Sequence, residues 1–207
     1  MLAEGVVEAP SLGVAWLRAL RLVLDEGQWV DDGPERLLEV RPLIMRLASV
    51  DEDDPILRRH ADQDRIELML RKYRSLDVLP EYPISYGGLL YDNEGVDQVA
   101  WVVDRLRAKL ETKSATICLH RPGEKHLSCL SLLDFKLRDN RLSMTTVYRS
   151  QNVFASQPGN VLALRRIQRD VAGRIGFPAG TFDLFALSAH IYERDLEAAD
   201  RVCSTAS

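Results

Sequence analysis

What the 207-residue sequence lacks narrows its reading first. It has three cysteines, Cys118, Cys129 and Cys203, widely spaced and without a C-x-x-C. That argues against a disulfide framework and a structural zinc site, so no metal is expected, and it fits a reducing, cytoplasmic compartment. No apolar run approaches the roughly 18 residues that span a bilayer, and no charged-then-apolar signal segment opens the chain. Positive charge is not in excess: 27 Lys and Arg stand against 31 Asp and Glu, a formal charge of -4. The balance gives no electrostatic reason to expect a nucleic-acid partner. An anionic ligand must therefore be held by a few placed cations. Internal repeats, low-complexity tracts and interdomain linkers are also missing.

What is present is a folding composition, 46% hydrophobic and 28% charged, and a length that suits one domain over 1–207. Leu12, Ala15, Trp16, Ala19, Leu20, Val23 and Leu24 repeat at helical spacing after a capping Ser11. Asp31-Asp32-Gly33-Pro34 reads as a turn, 37–47 as a strand, and the acidic 49–55 as an exposed loop. A helix is expected over 61–73. After Pro80 and Pro83 comes Tyr86-Gly87-Gly88, then a helix carrying Val96, Val99, Val103, Leu106 and Leu110. Strands are expected over 115–120, 129–137 and 142–148, with Asp139-Asn140 as a hairpin turn between the last two. A helix follows Pro158 and stops at Gly176, and a strand over 181–192 finishes the core. The pattern is α+β: a curved mixed sheet with packed helices.

The chemistry-bearing residues fall in a fixed order. Ser128-Cys129-Leu130-Ser131 is followed by Tyr148-Arg149-Ser150-Gln151-Asn152, then Pro158-Gly159-Asn160, then Ser188-Ala189-His190-Ile191-Tyr192-Glu193-Arg194-Asp195. Upstream stand Tyr86-Gly87 and Val96-Asp97-Gln98. On a strand, His190 and Tyr192 share a face with Ser188, and Cys129 shares one with Ser131, Leu133, Phe135 and Leu137. Read alone, these residues leave alternatives open. A strand cysteine is often a small hydrophobe, Arg149 can face solvent at a strand end, Asn160 can cap a helix, and Tyr86 can sit in a Gly-rich turn.

Taken together the order resembles the pyrimidine-nucleotide site of the thymidylate synthase family, most of all its short archaeal-type members. The resemblance is good over 86–195, taken as the catalytic core, and weaker over 1–85. It implies the thymidylate synthase fold, with sheets of two subunits back to back in a homodimer. It further implies that Cys129 adds to C6 of a uracil nucleotide or nucleoside so that C5 accepts a one-carbon unit from 5,10-methylenetetrahydrofolate, giving a methyl or hydroxymethyl product. By the same match Arg149 favours the thiolate and, with Ser150, binds phosphate. Asn160 pairs with the base, His190 and Tyr192 meet the sugar, and Tyr86 helps move the C5 proton through ordered water. Asn152 falls where the family holds the pterin.

The chain also departs from that pattern. Ser128 replaces a proline, and Asn152 replaces an aspartate. Ala115 and Thr116 stand where an arginine pair reaches across the dimer, so Arg36, Arg41, Lys113 or Arg121 are expected to substitute. The catalytic glutamate has only Glu67 and Glu81 as candidates by position. The C-terminal segment that closes over the ligands is expected to be absent. These departures give the alternative, a non-catalytic nucleotide- or partner-binding paralogue of the same fold.

Overall fold

The computed structural model describes residues 5–121, 123 and 125–206. Its frame is a six-stranded mixed sheet. In spatial order this runs β1 (Gly5–Ala9), β4 (Leu43–Leu47), β9 (Ala179–Ala186), β7 (Arg141–Tyr148), β6 (Leu130–Arg138) and β5 (Thr116–Cys118). A second sheet of four orders β2 (Gln28–Asp32), β3 (Glu35–Val40), β10 (Ala189–Tyr192) and β8 (Gln151–Asn152). The strands expected over 37–47 and 181–192 each prove to be two strands, one in each sheet. The first breaks at Arg41-Pro42, where proline has no N–H for the ladder, and the second at Leu187-Ser188. Hydrophobic alternation runs across both breaks, so periodicity alone could not reveal the change of sheet.

The first helix, α1 (Leu12–Glu26), forms as expected, with Ser11 Oγ accepting from the Val14 N–H and Leu12, Ala15, Trp16, Ala19, Leu20 and Val23 buried. The indole N–H of Trp16 donates to the Val153 carbonyl at 2.9 Å, tying this N-terminal helix to the segment after β8. The acidic 49–55 stretch is only partly the expected exposed loop. Asp51, Glu52 and Asp53 are exposed, but Asp54 is buried. Its carboxylate accepts from Gly13 N–H at 2.8 Å and from Ile56 and Leu57 N–H, so it serves α1 and also caps α2 (Pro55–His60). The Asp139-Asn140 turn joins β6 to β7 with both residues at positive φ, 50° and 57°, the backbone of a type I′ hairpin.

Helices α3 (Gln63–Lys72), α4 (Tyr86–Tyr91), α5 (Gln98–Ala108), α6 (Gln157–Ile175) and α7 (Leu196–Thr205) complete the chain. α3 packs against α6, and the approach is close: a Cβ built on Gly159 would lie 2.7 Å from the Cβ of Met69. α4 was missed in the sequence because its Gly87-Gly88 pair reads as a breaker. Ser85 starts it by accepting from Gly88 N–H at 2.8 Å while donating to the Ser75 carbonyl. A Cβ on Gly87 would sit 2.2 Å from that carbonyl oxygen, so the helix lies against the 75 turn through bare backbone.

Alternate residues of the large sheet lie under the helices and are fully buried, among them Phe182, Leu184, Leu142, Met144 and Tyr148. Their neighbours Asp183, Phe185, Thr145 and Val147 point to the opposite face and are only partly covered. Val6 on that face is 55% exposed. Among the described residues no helix is long and apolar enough to cross a membrane.

Candidate active site

β6, β7 and β9 present one end of the large sheet to the small sheet. Cys129 stands immediately before β6, Arg149 immediately after β7, and Ser188 between β9 and β10. The sheet ladder continues through this end: Arg149 N–H donates to the Cys129 carbonyl at 2.8 Å, and Gln151 N–H to the Ser188 carbonyl at 2.8 Å. Here the structure corrects the sequence register. A bulge between Leu130 and Leu132 shifts the pairing of β6 with β7, so Cys129 lies outside the strand and out of phase with the buried face of Leu133, Phe135 and Leu137.

The result is a cavity of about 400 Å³, within the size range of small-molecule sites. All eight residues singled out in the sequence line it: Cys129, Tyr86, Arg149, Ser150, Asn152, Asn160, His190 and Tyr192. α3 and the start of α6 form the wall opposite Cys129 and contribute Arg65, Met69, Lys72 and Asn160.

Several of these side chains have unspent hydrogen-bonding capacity. Asn160 donates to Gln151 Oε1 at 3.4 Å, which leaves Asn160 Oδ1 and Gln151 Nε2 buried without partners. His190 Nε2 and Arg65 Nε are likewise buried and unpaired. A buried polar atom without a partner is expensive, so such a group is accounted for when a ligand or water supplies the bond. The Asn160–Gln151 edge offers one acceptor beside one donor, which complements the N–H and C=O neighbours of a pyrimidinedione ring. Since Ser156, not Asn160, occupies the N-cap of α6, capping does not account for this asparagine.

Arg149 spends part of its fork on structure: Nε donates to the Ser128 carbonyl at 3.1 Å and one terminal nitrogen to Leu127 at 3.0 Å. It thereby holds the loop before Cys129, with its remaining N–H groups left for an anion. Tyr86 Oη accepts from Cys129 N–H at 3.0 Å. Burial foremost, and the nearby Cys129 charge second, push the Tyr86 phenol far above its ordinary value. At neutral pH it is a proton donor, never a phenolate. His190, stacked edge-on to Tyr192 at 5.0 Å and 3.5 Å from Ser150 Oγ, is held below the usual imidazole value by burial. It is neutral at neutral pH.

Sequence reading missed Lys72, Arg65 and Gln151. Lys72 ends α3, is 8% exposed, and rests over the rings of Tyr82 and Tyr86 at 3.6 and 3.9 Å. Desolvation lowers its ammonium to about 8, partly opposed by Cys129. A basic residue in phase with the buried Met69 was the available signal, hidden because a helix-terminal lysine usually reads as solvated. The residues nominated to replace the arginine pair are elsewhere: neither Arg36, Arg41, Lys113 nor Arg121 lines this cavity. Arg36 pairs with Glu193, Arg41 with Glu39, and Arg121 with Glu94. Glu67 and Glu81 are both exposed and outside it. Among the described residues no aspartate or glutamate lines the cavity at all.

Comparison with known proteins places this geometry. A family profile described as thymidylate synthase matches residues 58–206. A protein of Methanosarcina acetivorans named "Putative thymidylate synthase" is 27% identical over 205 residues, covering 95% of this chain and 94% of its own. One of the same name from Methanopyrus kandleri is 30% identical over 213 residues, 95% of this chain and 98% of its own. A third, from Methanothermobacter thermautotrophicus, is 34% identical over 122 residues, 57% of this chain and 55% of its own.

Proposed function

Because the chain belongs to the thymidylate synthase family, we propose that it transfers a one-carbon unit to C5 of a uracil nucleotide or nucleoside through a covalent adduct of Cys129. The observation that carries the reading is the juxtaposition, in one cavity, of the Cys129 thiol and the unpaired Asn160–Gln151 amide edge. The amide edge orients the ring, donating to a carbonyl oxygen and accepting from the ring N–H. With the ring held, sulfur adds to C6 and the C5=C6 electron pair moves toward the carbonyl, leaving C5 nucleophilic. Tyr86, as a neutral phenol beside the Cys129 backbone, can donate to a water or to the developing oxyanion. Arg149, Arg65 and Lys125, all lining the cavity, supply the cationic charge that a 5′-phosphate would need, with the Ser150 hydroxyl beside them. His190 and Tyr192, which line the same cavity, meet the sugar in this reading.

The folate assignment fits less well. In the family's manner Asn152 would accept from the pterin, but its Oδ1 already accepts from Ala155 N–H at 2.9 Å. One oxygen lone pair and the amide N–H groups remain, where an aspartate would offer acceptors alone. Methylenetetrahydrofolate remains the donor class that the family implies, and no step here is routed through it.

A back-to-back homodimer is part of the proposal, supported by the half-covered face of the six-stranded sheet with Phe185, Val147 and Val6 upon it. A single domain over 1–207 is supported by β4 pairing along its length with β9. A cytoplasmic site of action is supported by the three cysteines, none of which forms a disulfide.

The test is tritium release from [5-³H]-labelled uracil and cytosine nucleosides and monophosphates, with and without methylenetetrahydrofolate. Donor-dependent release is expected from a uracil substrate, falling at least about a thousandfold in Cys129→Ser. Saturable nucleotide binding with no release under any donor would overturn the enzymatic reading in favour of a binding paralogue.

A further inference from the structure

The cavity poses a charge problem. Arg65, Lys72, Lys125 and Arg149 are its basic side chains, His126 and His190 are its imidazoles, and Tyr82, Tyr86 and Tyr192 are its phenols. Burial raises all three phenols above their ordinary value. Behind Tyr86, Tyr73 and Tyr148 are fully buried and bonded to each other at 2.7 Å. With no carboxylate among the described lining residues, the thiolate form of Cys129 is the counter-charge that these residues can themselves supply. Lys72 is the most enclosed of the cations. Two aromatic faces compensate it in part, but a buried ammonium still calls for a counter-charge. Tyr86 links the two groups: its ring lies under the Lys72 ammonium, and its hydroxyl accepts the Cys129 N–H.

The geometry points to Lys72 as the general base of this cavity, sharing one proton with Cys129 and receiving it when the sulfur attacks. The inference rests on the proposed role of Cys129 as nucleophile. In the attack the S–H bond breaks and its proton forms the third N–H bond of the Lys72 ammonium. The sulfur electron pair makes the S–C6 bond, and the C5=C6 pair passes to C5 and the carbonyl oxygen. Expulsion of sulfur at the end of the cycle reverses the transfer. Desolvation of Lys72, reinforced by Arg65 on the same helix, brings its amine into a range where it can exchange a proton near neutral pH. An arginine in its place could supply charge but could not take the proton.

The test needs no substrate. Iodoacetamide alkylation of Cys129 is followed across pH by peptide mass mapping, in a Cys118→Ser background because Cys118 is exposed. In Lys72→Met the rate at neutral pH is expected to fall about tenfold and the midpoint of the profile to move to higher pH. Lys72→Arg should keep the neutral-pH alkylation rate yet lose tritium release. An unshifted alkylation profile in Lys72→Met overturns the inference. Should that variant not fold, the ε-carbon NMR signal of Lys72 is titrated in wild type and Cys129→Ser. Loss of the thiol is expected to move the Lys72 titration to lower pH, and an unmoved titration overturns the inference. Alkylation behaviour as expected, without tritium release, would sink the proposed reaction and leave the pair standing.

Discussion

Helix α6 carries two buried polar clusters, centred on Asn160 and Gln168 about two turns apart, and they behave oppositely. Farther along, Gln168 donates to the Leu142 carbonyl at 2.7 Å and the Thr181 carbonyl at 2.9 Å, and accepts from Arg165 at 2.7 Å. Arg165 also donates to the Gly180 carbonyl at 2.8 Å, with only its Nε unpaired. This cluster stitches helix to sheet. Nearer the N-terminus, Asn160 makes one long bond to Gln151 and keeps its oxygen unpaired, beside the unpaired His190 nitrogen. Burial is nearly the same for both, 6% exposure at Asn160 and none at Gln168. What separates the structural Gln168 from Asn160, the proposed recognition residue, is therefore not depth but whether its atoms already have partners.

That contrast can be broken from either side. The largest stability effect is expected from Gln168→Ala, which strands two carbonyls and Arg165. Chemical denaturation should show a loss of about 2–4 kcal/mol, with nucleotide affinity per folded molecule unchanged. Asn160→Ala should do the reverse: nucleotide affinity measured by calorimetry falls about 10–100-fold while stability shifts by less than ~1 kcal/mol. Equal stability losses in the two variants would erase the distinction.

The smallest effect concerns Lys72. Its folded-state value of about 8 lies below the ordinary 10.5, so between these the unfolded chain binds the extra proton and wild-type stability gains as pH rises. Lys72→Met lacks this dependence. It is expected to be more stable than wild type by about 1 kcal/mol at neutral pH, with the gap closing as pH approaches the unfolded value. Denaturation midpoints at two pH values read this directly, and a gap independent of pH would refute it.

The same contrast explains what the sequence made legible. Helix α1, the Asp139-Asn140 hairpin and the Gly176 terminus are local: a periodic face, two turn residues and a left-handed glycine suffice to specify them. The thiol, the arginine and the His-x-Tyr string were legible because their order along the chain carries the pattern. Lys72, Arg65 and the pairing state of Gln151 were not, because the first two depend on where α3 docks and the third on where α6 meets β8, long-range contacts that no residue near them in sequence announces. The sheet changes at Pro42 and Ser188 escaped for a related reason, since a buried strand looks alike in either sheet. The bulge at 130–132 reversed the phase assigned to Cys129, and one extra residue in a ladder leaves no compositional mark.

One small feature reaches further than its size. At position 159 the side chain is a hydrogen atom, and Met69 fills the space a methyl would take. The helix on one side carries the Asn160 amide and the helix on the other carries the Lys72 amine, both lining the cavity. Their spacing acts as a caliper whose jaws are set by a missing carbon. Opening it with Gly159→Ala would shift the two helices apart, so that the width of the cavity becomes adjustable from a residue outside its lining. Under the proposed reaction, the dial for admitting bulkier pyrimidines lies there, behind the site instead of within it.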